Sequence, residues 1–89
     1  MSNQGEESIF EFGLSQREAD RIINRICKTI MRRRKKGEIL FLYLELTLLD
    51  PVVSHVMLID PDEMGPDMNV VNIPPGRRVN LYARIERAT

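Results

Sequence analysis

Between Ser15 and Gly37 the apolar positions recur at helical spacing. Ala19, Ile22, Ile23, Ile26 and Ile30 fall in one sector of a helix that turns about 100° per residue. Arg17, Arg21, Arg25, Lys28, Arg32, Lys35 and Lys36 fall in the opposite sector, within roughly 100° of arc. This spacing predicts one long amphipathic helix with an apolar face for a core and a basic face for solvent. Its ends are written locally. Ser15 and Glu18 have the spacing of a capping box, in which the hydroxyl accepts from the Glu18 amide and the carboxylate reaches back to the Ser15 amide. Leu14 precedes the cap, although Ala19 is a weak partner for a hydrophobic staple. Gly37 suits the position just past the last turn, where a positive φ ends the helix. Some 21 residues at 1.5 Å each give a rod of about 31 Å.

After Gly37 the period changes from helical to two. Leu40, Leu42, Leu44, Leu46 and Leu48 alternate with Phe41, Tyr43, Glu45 and Thr47. In a strand this puts the leucines on one face and the more polar groups on the other. Leucine also favours helices, so a buried helix is the alternative reading of 38–49. Asp50-Pro51 breaks the segment, and the β-branched run Val52–Ile59 predicts a second strand. An acidic loop follows over 60–68, with two prolines and a glycine. Asn69–Ile73 reads as a further short strand. Pro74-Pro75-Gly76-Arg77 fits a type II turn. Val79, Leu81, Ala83 and Ile85 then alternate with Asn80, Tyr82, Arg84 and Glu86, which marks a half-exposed strand. Near the start, Ile9–Phe12 reads as a short strand preceded by a polar, flexible tail over 1–7.

Together these elements predict an α+β fold, one long amphipathic helix packed on a three- to four-stranded antiparallel sheet. The leucine face of 40–48 is expected to meet the isoleucine face of the helix, with Leu81, Ala83 and Ile85 extending the core. Phe41 and Tyr43 then lie on the other sheet face, a candidate contact for a second subunit. The 89 residues suffice for a single small domain over 1–89. Apolar residues at 43% allow a core without staples, and charged residues at 29% fit a folded surface.

Charge alters this picture through its placement. Thirteen basic and thirteen acidic residues cancel. Yet residues 15–36 carry nine Arg and Lys against Glu18 and Asp20, a balance of +7, and the remaining residues carry −7. Distribution, rather than sum, steers a charged partner. Basic residues in the last turn suit the helix macrodipole, but Arg17, Arg21 and Arg25 oppose it. A merely solvated face also tends to intersperse acids four residues from bases, and like charges four apart repel by a few tenths of a kcal/mol. A polyanion would offset that repulsion, and arginine's fork suits phosphate.

The remaining chemistry is sparse. Cys27 is the single cysteine and His55 the single histidine, so the chain has neither an internal disulfide nor a zinc-ligand spacing. Cys27 lies at the edge of the apolar face and reads as a small buried filler. Ser54 and His55 are adjacent in a strand and point to opposite faces, so they form no dyad. Asp60-Pro61-Asp62-Glu63-Met64-Gly65 opens like a calcium-binding EF-hand loop, but Met64 and Val71 stand where two ligands belong. No glycine-rich phosphate loop, helix-turn-helix, homeodomain or zinc-finger pattern is present. Ile39–Ile59 contains Glu45, Asp50 and Pro51 and is expected not to span a bilayer. The acidic N-terminal residues do not read as a signal peptide, and a cytoplasmic location is expected.

These features lead to the expectation of a small non-enzymatic protein without cofactor, metal or small-molecule substrate. It would bind nucleic acid through Arg17, Arg21, Arg25, Lys28, Arg32, Lys35 and Lys36. The alternative is an assembly module, in which the basic helix docks on an acidic partner surface, including the acidic segment of a second copy. Few exposed aromatics are expected, so stacking on single strands has less support than contact with a duplex backbone.

Overall fold

The computed structural model describes residues 6–49, 51–63 and 72–88. Strand β1 (Glu6–Leu14) leads into helix α1 (Gln16–Lys35), followed by strands β2 (Leu40–Leu48) and β3 (Val53–Ile59), a single 3-10 turn (Pro61–Glu63) and strand β4 (Val79–Arg87). The sheet has the order β1-β4-β2-β3, with each neighbouring pair antiparallel. β1 and β2 therefore run parallel to each other on either side of β4, and α1 connects them. This is a split βαβ unit, and β3 is added by a hairpin from β2.

The helix forms where the sequence places it. The Glu18 amide donates to Ser15 Oγ at 3.3 Å, and the Ser15 amide donates to Glu18 Oε1 at 2.9 Å. At the far end the Gly37 amide bonds to the Arg34 carbonyl and the Glu38 amide to the Arg33 carbonyl, with Gly37 at φ 98°. These two bonds and the left-handed glycine make a Schellman ending.

The core lies between one face of the sheet and one face of α1. Ala19, Ile23, Ile26, Cys27 and Ile30 of the helix meet Leu40, Leu42, Leu44 and Leu46 of β2 and Val79, Leu81, Ala83 and Ile85 of β4. Ile22 and Leu48 are half-buried at its margin. The alternation over 38–49 is thus that of a strand, as the period of two implies, and the helical alternative is excluded.

Two expectations fall only partly within the described residues. Of the tail expected over 1–7, Glu6 and Glu7 belong to β1, and 1–5 lie outside the described residues. Glu6 pairs with Glu86 and Glu7 with Ile85 in the ladder, and the Glu7 carboxylate is held by Arg33. Polar composition concealed this because β1 is an edge strand whose side chains mostly face water. The strand read over Asn69–Ile73 lies outside the described residues at 69–71, and Asn72 and Ile73 carry no ladder pairing. The prolines that follow lack amide donors. Ile73 instead turns into the core and donates its amide to Gln16 Oε1 at 2.6 Å. Of the acidic loop, Asp60–Glu63 is described and contains the 3-10 turn; 64–68 lie outside the described residues. The Pro74–Arg77 turn closes with a bond from the Arg77 amide to the Pro74 carbonyl at 3.0 Å and with Gly76 at φ 78°.

Candidate nucleic-acid interface

The apolar face of α1 is fixed against the sheet, so its opposite face must point to water. Arg17, Arg21, Arg25, Lys28, Arg32, Lys35 and Lys36 are all exposed. They form a stripe of about 28 Å along the helix axis. Among the described residues none of the seven has an ion-pair partner within 4.0 Å. Glu11 and Glu18 line a shallow groove with Arg21 and Arg25 at the β1 side, without reaching either of them.

The two other helix arginines behave differently. Arg33 and Arg34 fall outside the stripe, one on each flank of the apolar sector, and reach down past the core. The Arg33 guanidinium bonds Glu38 in a two-pronged contact at 2.9 and 3.0 Å and Glu7 at 2.6 Å. Those bonds push its pKa further up, Glu38 contributing most. Glu38 is held down to about 2, first by Arg33 and then by Arg87. Arg34 donates to Asp60 Oδ1 and Asp62 Oδ2, each at 3.0 Å, and to the Leu40 carbonyl at 2.8 Å. Its hydrogen bond lowers the Asp60 pKa. At the opposite end of the helix, Arg78 pairs with Glu18 at 3.2 Å. The bonds of the capping box, more than this pair, lower the Glu18 pKa.

Among the described residues, Glu7, Glu18, Glu38, Asp60, Asp62 and Glu86 are thus paired with arginines other than the seven. Asp60 and Asp62 bear on the assembly alternative, because the carboxylates it assigned to a neighbouring copy are held by Arg34 of the same chain. Arg77 and Arg78 join the basic end of the helix. They line one groove with Arg17, Ser15 and Gln16. Sequence spacing alone conceals this, because the turn at Pro74–Arg77 brings in residues some sixty positions away.

The outer face of the sheet is also unusual. All three phenylalanines and both tyrosines of the chain lie there or at its rim. Phe10, Tyr82 and Tyr43 cross β1, β4 and β2 as a row, with ring centroids 4.7 Å and 6.1 Å apart. The Arg84 guanidinium lies 4.5 Å from the Tyr43 ring centre. Phe12, Phe41, Val56 and Leu58 extend this apolar surface, while Glu45 and the Arg84–Glu86 pair interrupt it. More rings are exposed than the sequence led one to expect.

Cys27 is buried, and desolvation raises its thiol pKa, which disfavours the reactive thiolate. His55 is exposed on β3. No group of three or more His, Cys, Asp or Glu among the described residues is placed to hold a metal ion. No helix among them is long and apolar enough to cross a membrane. Comparison with family models, with curated proteins and with solved structures gives no significant match.

Proposed function

We propose that this domain binds nucleic acid through the phosphates, using the exposed face of α1. The observation that carries this reading is the contrast along one helix. Arg33 and Arg34 are neutralised by carboxylates, while seven neighbouring cations have no ion-pair partner among the described residues. Repulsion within such a row costs a few tenths of a kcal/mol for each close pair. Phosphates lying along the row offset that cost and release counterions. The row follows one helix for about 28 Å, close to one turn of a duplex. The aromatic rings lie on the far side of the sheet, where Arg84 is paired with Glu86 and Glu45 adds a negative charge, so the backbone of a duplex suits the helix better than an unpaired strand suits the sheet.

Fluorescence anisotropy with labelled duplex DNA and duplex RNA, repeated over a range of salt, tests the proposal. Affinity should fall linearly on a log–log plot, and removing one of Arg21, Arg25, Lys28 or Arg32 should lower the slope by about one. Arg25→Glu combined with Arg32→Glu should abolish binding with an unchanged circular dichroism spectrum, since both side chains are exposed. Absence of binding to any duplex at low salt overturns the proposal. In that outcome an acidic protein partner becomes the better reading of the same face.

A further inference from the structure

The two edges of the sheet are built differently. The β1 edge is guarded. Its ladder with β4 is interrupted by a bulge between Glu11 and Leu14, where Gly13 takes φ 66° and donates its amide to Asn80 Oδ1 at 3.1 Å. Glu7 and Glu11 add charge along the same strand. Bulges and charges are the usual means of preventing a sheet edge from pairing with another chain.

β3 has neither device. Val53-Ser54-His55-Val56-Met57-Leu58-Ile59 contains no Lys, Arg, Asp, Glu, Gly or Pro. Its ladder with β2 runs from Leu48↔Val53 to Leu42↔Ile59 without a register shift. No strand among the described residues lies on its outer side. Val53, Val56 and Leu58 are exposed, Leu58 to 76%. A regular, uncharged, apolar edge presents amides and carbonyls ready to continue a ladder.

We infer that β3 pairs antiparallel with β3 of a second copy, joining two four-stranded sheets into one of eight. Val56 is the midpoint of the strand, so a two-fold axis there gives the fullest overlap. It sets Val56 opposite its own copy, Val53 opposite Ile59, Ser54 opposite Leu58 and His55 opposite Met57. None of these pairs contains Lys, Arg, Asp or Glu, so the contact is self-complementary without an acidic or basic partner. A foreign strand has no charge pattern to read here, whereas a second copy closes the contact on itself. An axis perpendicular to the sheet keeps both helices on one side. Five strand spacings separate the two β4 strands, and hence the two helices, by about 24 Å. That exceeds the screening length of about 8 Å at physiological salt, so the two basic faces do not prevent association. The paired edge is about 24 Å long. Such a contact lies at the small end of the interface range and makes a concentration-dependent dimer.

Sedimentation velocity without nucleic acid, from about 1 μM to about 1 mM, tests this independently of the proposed function. The mass should rise from 10.3 kDa toward twice that value as concentration increases. Val56→Lys and His55→Glu change opposite faces of the same strand, and each should weaken the dimer at least tenfold. Both sites are exposed, and an unchanged circular dichroism spectrum verifies the fold of each variant. A wild-type chain that stays at 10.3 kDa throughout overturns the inference. So does a dimer that responds to Val56→Lys but not to His55→Glu, since that pattern belongs to packing between two aromatic sheet faces.

Discussion

Arg32 and Arg33 are neighbours in sequence and opposites in circumstance. One turns to solvent and the other bonds two carboxylates, because a step of about 100° carries the second out of the basic sector and over the rim of the core. The Arg33–Glu38 contact has a measurable signature. The Glu38 pKa is held down to about 2 from an ordinary 4.5. A depressed carboxylate pKa stabilises the folded state above the unfolded value. The contribution shrinks as pH falls below about 4.5 and is gone once pH passes about 2. In an NMR titration of the native protein, the Glu38 side-chain carboxyl should have its midpoint near 2. Arg33→Gln should move it back most of the way, leaving the smaller effect of Arg87. A wild-type midpoint near 4.5 would show that the contact does not persist in solution.

At the scale of elements, what was legible depended on the distance over which each feature is encoded. The helix is encoded within one turn at either end, by Ser15 with Glu18 and by Gly37. Ser15→Ala should therefore cost about 1 kcal/mol in chemical denaturation, with the loss confined to the cap. A loss near zero would mean that Glu18 and Arg78 hold this end without the hydroxyl. β2 was legible because five alternate leucines leave one face for the core. β1 was only half legible. Phe10 and Phe12 share a parity, but that parity faces water, and the glutamates at the start of the strand resemble a tail. The basic face followed from periodicity, and its exposure agrees with it. The engagement of Asp60 and Asp62 by Arg34 was not legible, because it joins residues 26 and 28 positions apart through the sheet. The approach of Arg77 and Arg78 to Arg17 was hidden for the same reason.

Among the described residues the fold rests on one two-layer contact, which makes its stability depend on few residues. Ile26 sits midway along the apolar face and is 4% exposed. Ile26→Ala should cost about 2–5 kcal/mol, a large part of the about 5–15 kcal/mol that holds a small domain together. Thermal unfolding should report this as a marked fall in midpoint, and an unchanged midpoint would mean that the helix does not pack by this face. That contact is made almost wholly of aliphatic side chains. Every phenylalanine and tyrosine of the chain lies on the outside of the sheet or at its rim, and tryptophan is absent. The near-ultraviolet spectrum consequently belongs to the surface of the molecule rather than to its interior. Tyr43 and Tyr82 are in effect natural probes embedded in the outer wall, and whatever settles there alters their light. A ligand confined to the helix leaves those rings dark to its arrival, so the protein's own colour separates its two faces without a label.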